Sequence, residues 1–253
     1  MILIVKNTLI ALGKKLHLRE KAGWLKKLLL SAYHRTIKPN TAIIRGVRVP
    51  IGDHISQTVI QAIYDGEYEH GELYFLRSRL NSDDIVMELG TGIGLLSCYA
   101  AKIVGSQNVF TYEANPSLEK PIRQLYQMNN VNPHLECCML GEQEGEHNFY
   151  IEKDFWASTN VKGSEESIAV KVPVKSFNEA IRQINPSFLI IDIEGGEYEL
   201  INYADLHNVR KLIIEVHRSI LGNDKVESVI AQLSELGFKI EESVSEPELF
   251  FQR

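Results

Sequence analysis

Residues Ile85–Lys102 read IVMELGTGIGLLSCYAAK: an apolar run reaches three glycines at alternate positions, Gly90, Gly92 and Gly94, and then resumes with helical spacing. The pattern predicts a strand over Ile85–Leu89, a tight turn, and a helix over Gly94–Val104. Glycine permits such a turn and lets the backbone approach a ligand where a side chain would clash. In open α/β sheets, ligands bind beyond the carboxyl ends of the strands, which is where this turn lies. The turn is not the dinucleotide-binding G-x-G-x-x-G spacing. Leu95 occupies the last glycine position counted from Gly90, and Ser97 occupies it counted from Gly92.

Outward from this unit the pattern keeps alternating. Strands are expected at Val109–Glu113, Leu135–Leu140, Phe188–Ile193, Lys211–Val216, Phe238–Glu242 and Glu248–Gln252. Helices are expected at Pro116–Asn129, Phe177–Gln183, Glu197–Tyr203 and Val226–Leu236, with Gly237 ending the last. Residues 141–176 interrupt the rhythm: EHNFYIE and SIAVKVPVKS read as strands around the polar loop KDFWASTNVKGSEE. Repeated β-α-β units imply a mostly parallel sheet covered by helices on both faces. Upstream, the stretch from Ser56 to Leu80 reads as two helices split at Asp65–Gly66. TAIIRGVRVPIGD reads as a hairpin or extended segment, and residues 1–38 as helical. The economical division is a basic extension, 1–50, and one domain, 51–253.

Charge divides along the same line. Residues 1–50 contain seven Lys, four Arg and one acid, Glu20, giving +10 against −6 for the whole chain, so the remainder carries −16. This asymmetry suits an arm that meets an anionic membrane or acidic partner, or one that docks on the chain's own acidic body. Only Trp24 and Tyr33 interleave with its cations, which argues against nucleic acid. The content of 44% hydrophobic residues is that of a globular core, and no apolar run is long enough to span a bilayer. The opening MILIVKNTLIAL lacks a preceding basic region and is broken by Lys6 and Asn7, so it is a poor signal peptide. Cys98, Cys137 and Cys138 have neither metal-ligand nor disulfide-framework spacing and read as reduced thiols of a cytoplasmic protein.

Two further stretches carry chemistry. In VFTYEANPSL, Glu113 ends a strand where a carboxylate can accept hydrogen bonds from both hydroxyls of a ribose, or can cap the helix that begins at Pro116. In FLIIDIEGGEYEL, Phe188–Leu200, a buried strand runs into Asp192, Glu194, Glu197 and Glu199. While that strand stays extended, Asp192 and Glu194 face the same way, as do Glu215 and His217 on LIIEVH.

The spacing Glu88-x-Gly90-x-Gly92-x-Gly94 resembles motif I of the Rossmann-like S-adenosylmethionine methyltransferases. With YEHGELYFL, YEANP, VPVKSFNEAI, FLIIDIEGGEYELI and LIIEVH, residues 60–220 resemble the FkbM family. Ile193 and Gly196 stand for Val and Ala in its Asp-Val-Glu-Gly-Ala-Glu block. Ile191 replaces the common lysine before that block, and Ser176–Phe177–Asn178 replaces a serine-leucine-aspartate element. The resemblance implies a sheet order of 3-2-1-4-5-7-6 and S-adenosyl-L-methionine as cofactor. Glu88, Gly90, Thr91, Gly92 and Gly94 would cradle it, with Glu88 toward the methionine amino group. Glu113 would meet the ribose, Ala114 and Asn115 would lie along the adenine, and Tyr68 and Glu69 would make cofactor or substrate contacts. It further implies methyl transfer above strands four and five to a sugar, glycolipid or natural-product oxygen. N-methylation of an amine or peptide and a non-catalytic binding module are the alternatives.

An alcohol becomes a competent nucleophile when a base takes its proton, so His217 or Asp192 is the candidate base, oriented by Glu215 or Glu194. The same residue types suit Mg²⁺ or Mn²⁺ at Asp192, Glu194 and His217, and spacing does not separate this from a base dyad. Glu197 and Glu199 read as helix N-terminal acids. Trp156, beside Ser158, Thr159 and Asn160, reads as an acceptor-binding surface or as a lid.

Overall fold

The computed structural model describes residues 39–52, 55–151, 167–245 and 248–253. The expected helices of 1–38 and the loop carrying Trp156 lie outside the described residues.

Strands β1 (Thr41–Ile44) and β2 (Val47–Pro50) form an antiparallel hairpin. Val47 and Val49 are fully buried, so this hairpin, grouped with the extension on sequence, packs into the main core. Helix α1 (Gln57–Asp65) starts at Ser56, whose hydroxyl accepts the Val59 N–H, and ends at left-handed Gly66, the split expected from the sequence. Helix α2 (His70–Arg79) follows.

The alternating body then runs β3 (Val86–Leu89), α3 (Leu95–Val104), β4 (Val109–Tyr112), α4 (Glu119–Met128) and β5 (His134–Glu136). A smaller sheet comprises β6 (Met139–Gly141), β7 (Gly145–Ile151) and β8 (Ile168–Ser176). The main sheet resumes with α5 (Phe177–Ile184), β9 (Phe188–Ile191), α6 (Glu197–Tyr203), β10 (Lys211–Glu215), α7 (Arg218–Leu221), α8 (Asn223–Glu235), β11 (Lys239–Ser245) and β12 (Glu248–Gln252).

The seven-stranded sheet has the order β5-β4-β3-β9-β10-β12-β11. This is the expected 3-2-1-4-5-7-6, parallel except where β12 lies antiparallel to both its neighbours. Alternation along the strands divides the core in two. Val86, Phe188, Ile190 and Ile213 pack toward α2, α3, α4 and the hairpin, while Met87, Leu189, Ile191 and Leu212 pack toward α5, α6 and α8. The single strand expected over Leu135–Leu140 is two. Cys138 buries its side chain in the second core, so the chain leaves β4 after Glu136 and rejoins β8 from Met139.

At the amino ends of the strands, Lys211 Nζ bonds Asp84 Oδ2 at 2.6 Å, and Asp84 Oδ1 accepts the Ser187 hydroxyl at 2.7 Å. This buried pair ties β10 to the turn before β3. The three cysteines are free thiols, with Cys98 and Cys138 buried. Among the described residues, no helix is long and apolar enough to cross a membrane.

Candidate active site

A cavity of about 670 Å³ opens at the carboxyl ends of the parallel strands, where the glycine turn meets the acidic end of β9. Gly90 has φ 83°, and a Cβ there would stand 1.6 Å from the Asp192 carbonyl oxygen. The Asp192 N–H donates to Leu89 O at 2.9 Å and the Gly90 N–H to Tyr112 O at 3.0 Å. The bare backbone of Gly90 therefore lets three strand ends close at one level and brings Asp192 beside the turn. The sequence reading gave this glycine to ligand approach; the neighbouring strand requires it first. Gly94, at φ 86°, caps α3, where a Cβ would press on Ile122 and Tyr126 at 3.0 and 3.1 Å.

Glu113 is 6% exposed and lines the cavity. Its carboxylate accepts the N–H of Gly92 at 2.8 Å and of Asn115 at 2.7 Å. Burial raises its carboxyl to about 7 even against these bonds. Ala114 is on the wall as well. Asn115 is not: its Oδ1 accepts the Ser117 N–H and hydroxyl, capping the short turn Pro116–Leu118. The cap considered for Glu113 is thus made by Asn115, whose amide nitrogen is buried without a partner. Thr91 is buried and donates to Tyr112 O at 3.3 Å, so it braces the turn from behind.

Glu88 is fully buried under the turn, where the hydroxyls of Ser97 and Thr91 favour its ionised form without offsetting the burial. Burial and the charge of Glu69 push its carboxyl well above the ordinary range. A buried carboxyl in that state lacks a positive partner. Glu69 precedes α2 at φ 52°, makes no capping bond, and instead lines the cavity. Burial lifts its carboxyl to about 8; the Tyr68 hydroxyl opposes the rise, while Glu215, Glu194 and Glu248 add to it.

These acids form a row. Glu88, Asp192, Glu215 and Glu248 end or begin successive strands β3, β9, β10 and β12, and strand alternation turns all four to the sheet face under α2. From α2, Glu69 and Glu72 face them, with Glu72 only 3% exposed. The missing side chain of Gly71 makes room, since a Cβ there would lie 2.9 Å from the Glu248 carboxyl. Among the described residues lining the cavity there is no lysine or arginine.

His217 stands behind this wall at the start of α7. Its Nδ1 lies 2.7 Å from Glu197 Oε1. Its Nε2 faces Glu194 Oε2 at 3.1 Å, Glu215 Oε1 at 3.5 Å and Asp192 Oδ1 at 3.8 Å. Burial alone would lower the imidazole. The Glu197 bond and the charges of Glu194, Glu197 and Glu215 outweigh it and hold the ring at about 9. In the bare pocket it keeps its proton at neutral pH and cannot serve there as a free base.

Asp192 and Glu194 converge by a route different from the expected one. The strand ends at Ile191, and left-handed backbone at Glu194 (φ 48°) and Gly195 (φ 94°) swings Glu194 toward His217. Such strain in a non-glycine residue is characteristic of functional sites. The orienting acid is Glu197, which sequence reasoning assigned to a helix start. It does begin α6, but it is fully buried and its Oε1 also accepts the Gly195 N–H at 3.1 Å. Its position directly after two glycines was the available signal. Glu199, by contrast, pairs with Lys225 at the rim.

One donor atom each from Asp192, Glu194 and His217 lie within 4.8 Å of one another, an arrangement that can hold a metal ion. The remaining cavity, with Glu69 and Glu113 on its wall beside the glycine turn, fits a cationic nucleoside; Glu88, expected at the cofactor, lies beneath the turn and off the cavity lining.

The family model described as the methyltransferase FkbM domain matches residues 88–240. Among solved structures, a methyltransferase from Pyrococcus furiosus is 12% identical with a TM-score of 0.46, over 91% of this chain and 98% of that one. The precorrin-6y C5,15-methyltransferase from Geobacter metallireducens GS-15 is 13% identical with a TM-score of 0.46, over 73% and 88%. A putative tRNA (m1A22) methyltransferase from Streptococcus pneumoniae, in complex with S-adenosyl-L-methionine, is 12% identical with a TM-score of 0.43, over 72% and 71%. A search of curated protein sequences finds no match.

Proposed function

The chain belongs to the FkbM family of S-adenosylmethionine-dependent methyltransferases, and from that premise we propose that it methylates an oxygen of a sugar, glycolipid or natural product. The observation that carries this reading is the cluster of Asp192, Glu194 and Glu215 on the wall of the cavity that holds the glycine turn, with His217 behind them. A hydroxyl must lose its proton as it is methylated, and this cluster offers acceptors for it.

S-adenosylmethionine supplies an electrophilic methyl group on a positively charged sulfur. Glu113 offers two carboxylate oxygens to the ribose hydroxyls, and Glu69, on the same wall, offers a carboxylate to the amino group. The acceptor's proton passes to a carboxylate of the cluster. Glu197 and His217 act as positioning residues, holding the carboxylates at a fixed distance from the cavity. Alignment and charge, with no covalent intermediate, are what this chain contributes.

The test is transfer of labelled methyl from S-adenosylmethionine to a panel of hydroxylated acceptors, with the product bond identified. Label found only on nitrogen would replace this reading with N-methylation, which the lysine-free, acidic wall favours as the second reading. Tight cofactor binding with no transfer across hydroxyl and amine panels would favour a binding module. We read the basic N-terminal arm as a tether to an anionic membrane carrying the acceptor. Deletion of residues 1–38 should then abolish binding to anionic vesicles, and unchanged binding refutes the tether.

A further inference from the structure

Resting on the methyltransferase reading, we propose that Asp192, Glu194 and His217 Nε2 bind one Mg²⁺ or Mn²⁺ ion, with Glu197 as the outer carboxylate that fixes the imidazole. Four features of the site support it.

The first is spacing. Nε2 stands 3.1 Å from Glu194 and 3.8 Å from Asp192. Adjacent ligands held at about 2.1 Å from one ion lie roughly 3 to 4 Å apart. The longer separation is too great for a hydrogen bond, and Asp192 Oδ1 is in fact buried without any hydrogen-bond partner. Proton sharing with the imidazole thus accounts for Glu194 and leaves Asp192 unexplained; an ion between them accounts for both.

The second is the imidazole's outer bond. Glu197 is fully buried and takes Nδ1 at 2.7 Å, which leaves Nε2 to face the carboxylates. Metal-bound histidines are held in this way, with the distal ring nitrogen donating to a carboxylate. The bond comes from outside the three ligands and fixes which nitrogen points inward.

The third is charge. Glu69, Glu72, Asp192, Glu194, Glu215 and Glu248 crowd a cavity whose described lining contains no lysine or arginine. A divalent ion neutralises what one imidazolium cannot. The fourth is ligand type: two carboxylates and one imidazole suit Mg²⁺ or Mn²⁺.

The ion gives the reaction a proton path. An acceptor hydroxyl bound to it becomes more acidic, and its proton passes to Glu215, which lies 3.5 Å from Nε2 and is left uncoordinated. The oxygen then forms a bond to the methyl carbon as the carbon–sulfur bond breaks, and S-adenosylhomocysteine departs as a neutral sulfide.

The experiment uses the full chain, stripped with EDTA and exchanged into metal-free buffer. Mn²⁺ is titrated while its free EPR signal is recorded, and S-adenosylhomocysteine affinity is measured in parallel by calorimetry. One saturable Mn²⁺ site is expected. Asp192→Asn and Glu194→Gln should each abolish it while keeping S-adenosylhomocysteine binding, which also reports that the variants fold. Glu197→Gln should weaken Mn²⁺ by about 10- to 100-fold, and Glu199→Gln should leave it unchanged. Absence of saturable Mn²⁺ binding, equal binding by both ligand variants, or full methyl transfer after stripping overturns the proposal. Mn²⁺ binding without any S-adenosylhomocysteine binding would instead sink the methyltransferase reading and leave the ion site standing.

Discussion

The grip of Glu113 on a nucleoside should depend on pH with a sign and size that its surroundings fix. Burial raises its carboxyl from 4.5 to about 7, even though it accepts N–H bonds from Gly92 and Asn115. Below pH 7 the free protein therefore holds a proton there, and only the ionised carboxylate can serve two ribose hydroxyls while keeping its backbone bonds. Binding must then expel that proton, so affinity rises with pH up to about 7 and is level above it. One proton released corresponds to about tenfold per pH unit. For Glu113 alone, the Kd for S-adenosylhomocysteine should be about tenfold weaker at pH 6 than at pH 8, and about a hundredfold weaker at pH 5. Calorimetry in two buffers of different ionisation enthalpy reads this as about one proton more released per molecule bound at pH 6 by the wild type than by Glu113→Gln. Glu113→Gln cannot ionise, so it should bind weakly throughout and lose this share of the slope. Glu69, raised to about 8 on the same wall, adds a slope that persists in the variant, so the Glu113 share is the difference between the two profiles. A flat wild-type profile between pH 6 and 8, or identical slopes in the two proteins, refutes the assignment.

The same carboxyls should make the cofactor-free protein less stable as pH rises. Glu69 and Glu113 titrate near 8 and 7 when folded and near 4.5 when unfolded, so between pH 5 and 8 the folded state holds more protons. Stability then falls by at most about 1.4 kcal/mol per unit for each group; a Tm that climbs from pH 6 to pH 8.5 contradicts this. Gly90→Ala places a methyl 1.6 Å from Asp192 O at φ 83°. Left-handed strain and overpacking together predict a loss of about 3 kcal/mol or more with loss of S-adenosylhomocysteine binding, and wild-type values in melting and calorimetry would overturn the role given to this glycine. Lys211→Met takes the buried cation from the carboxylate of Asp84, which is 1% exposed and keeps the Ser187 hydroxyl and the Asn81 N–H. The expected loss of about 3 to 5 kcal/mol should lower Tm by roughly 10 °C. Cofactor affinity should not change, because the pair sits at the opposite end of the strands; a Tm within about 2 °C of wild type would deny it that role.

The amino-acid sequence by itself determined the alternating elements and the turn that carries the ligand site. Those depend on neighbours a few residues apart: the apolar run before Gly90, the helical spacing after Gly94, the split at Gly66, and the acids ending β9 and β10. It also placed Glu113, Asp192 and Glu215 at the cavity, because strand ends are legible and the carboxyl end of a parallel sheet is where ligands sit. The tertiary structure decided what depends on distant partners. Glu197 and His217 lie 20 residues apart, and the burial that makes Glu197 an imidazole partner as well as a helix start has no local signature. Glu72 joins the acidic wall because α2 lies over β10, more than a hundred residues later in the chain. Gly90 answers to the backbone of Asp192 for the same reason. Periodicity reports which face a side chain takes, whereas burial, charge and strain are set by whatever the rest of the chain brings against that face.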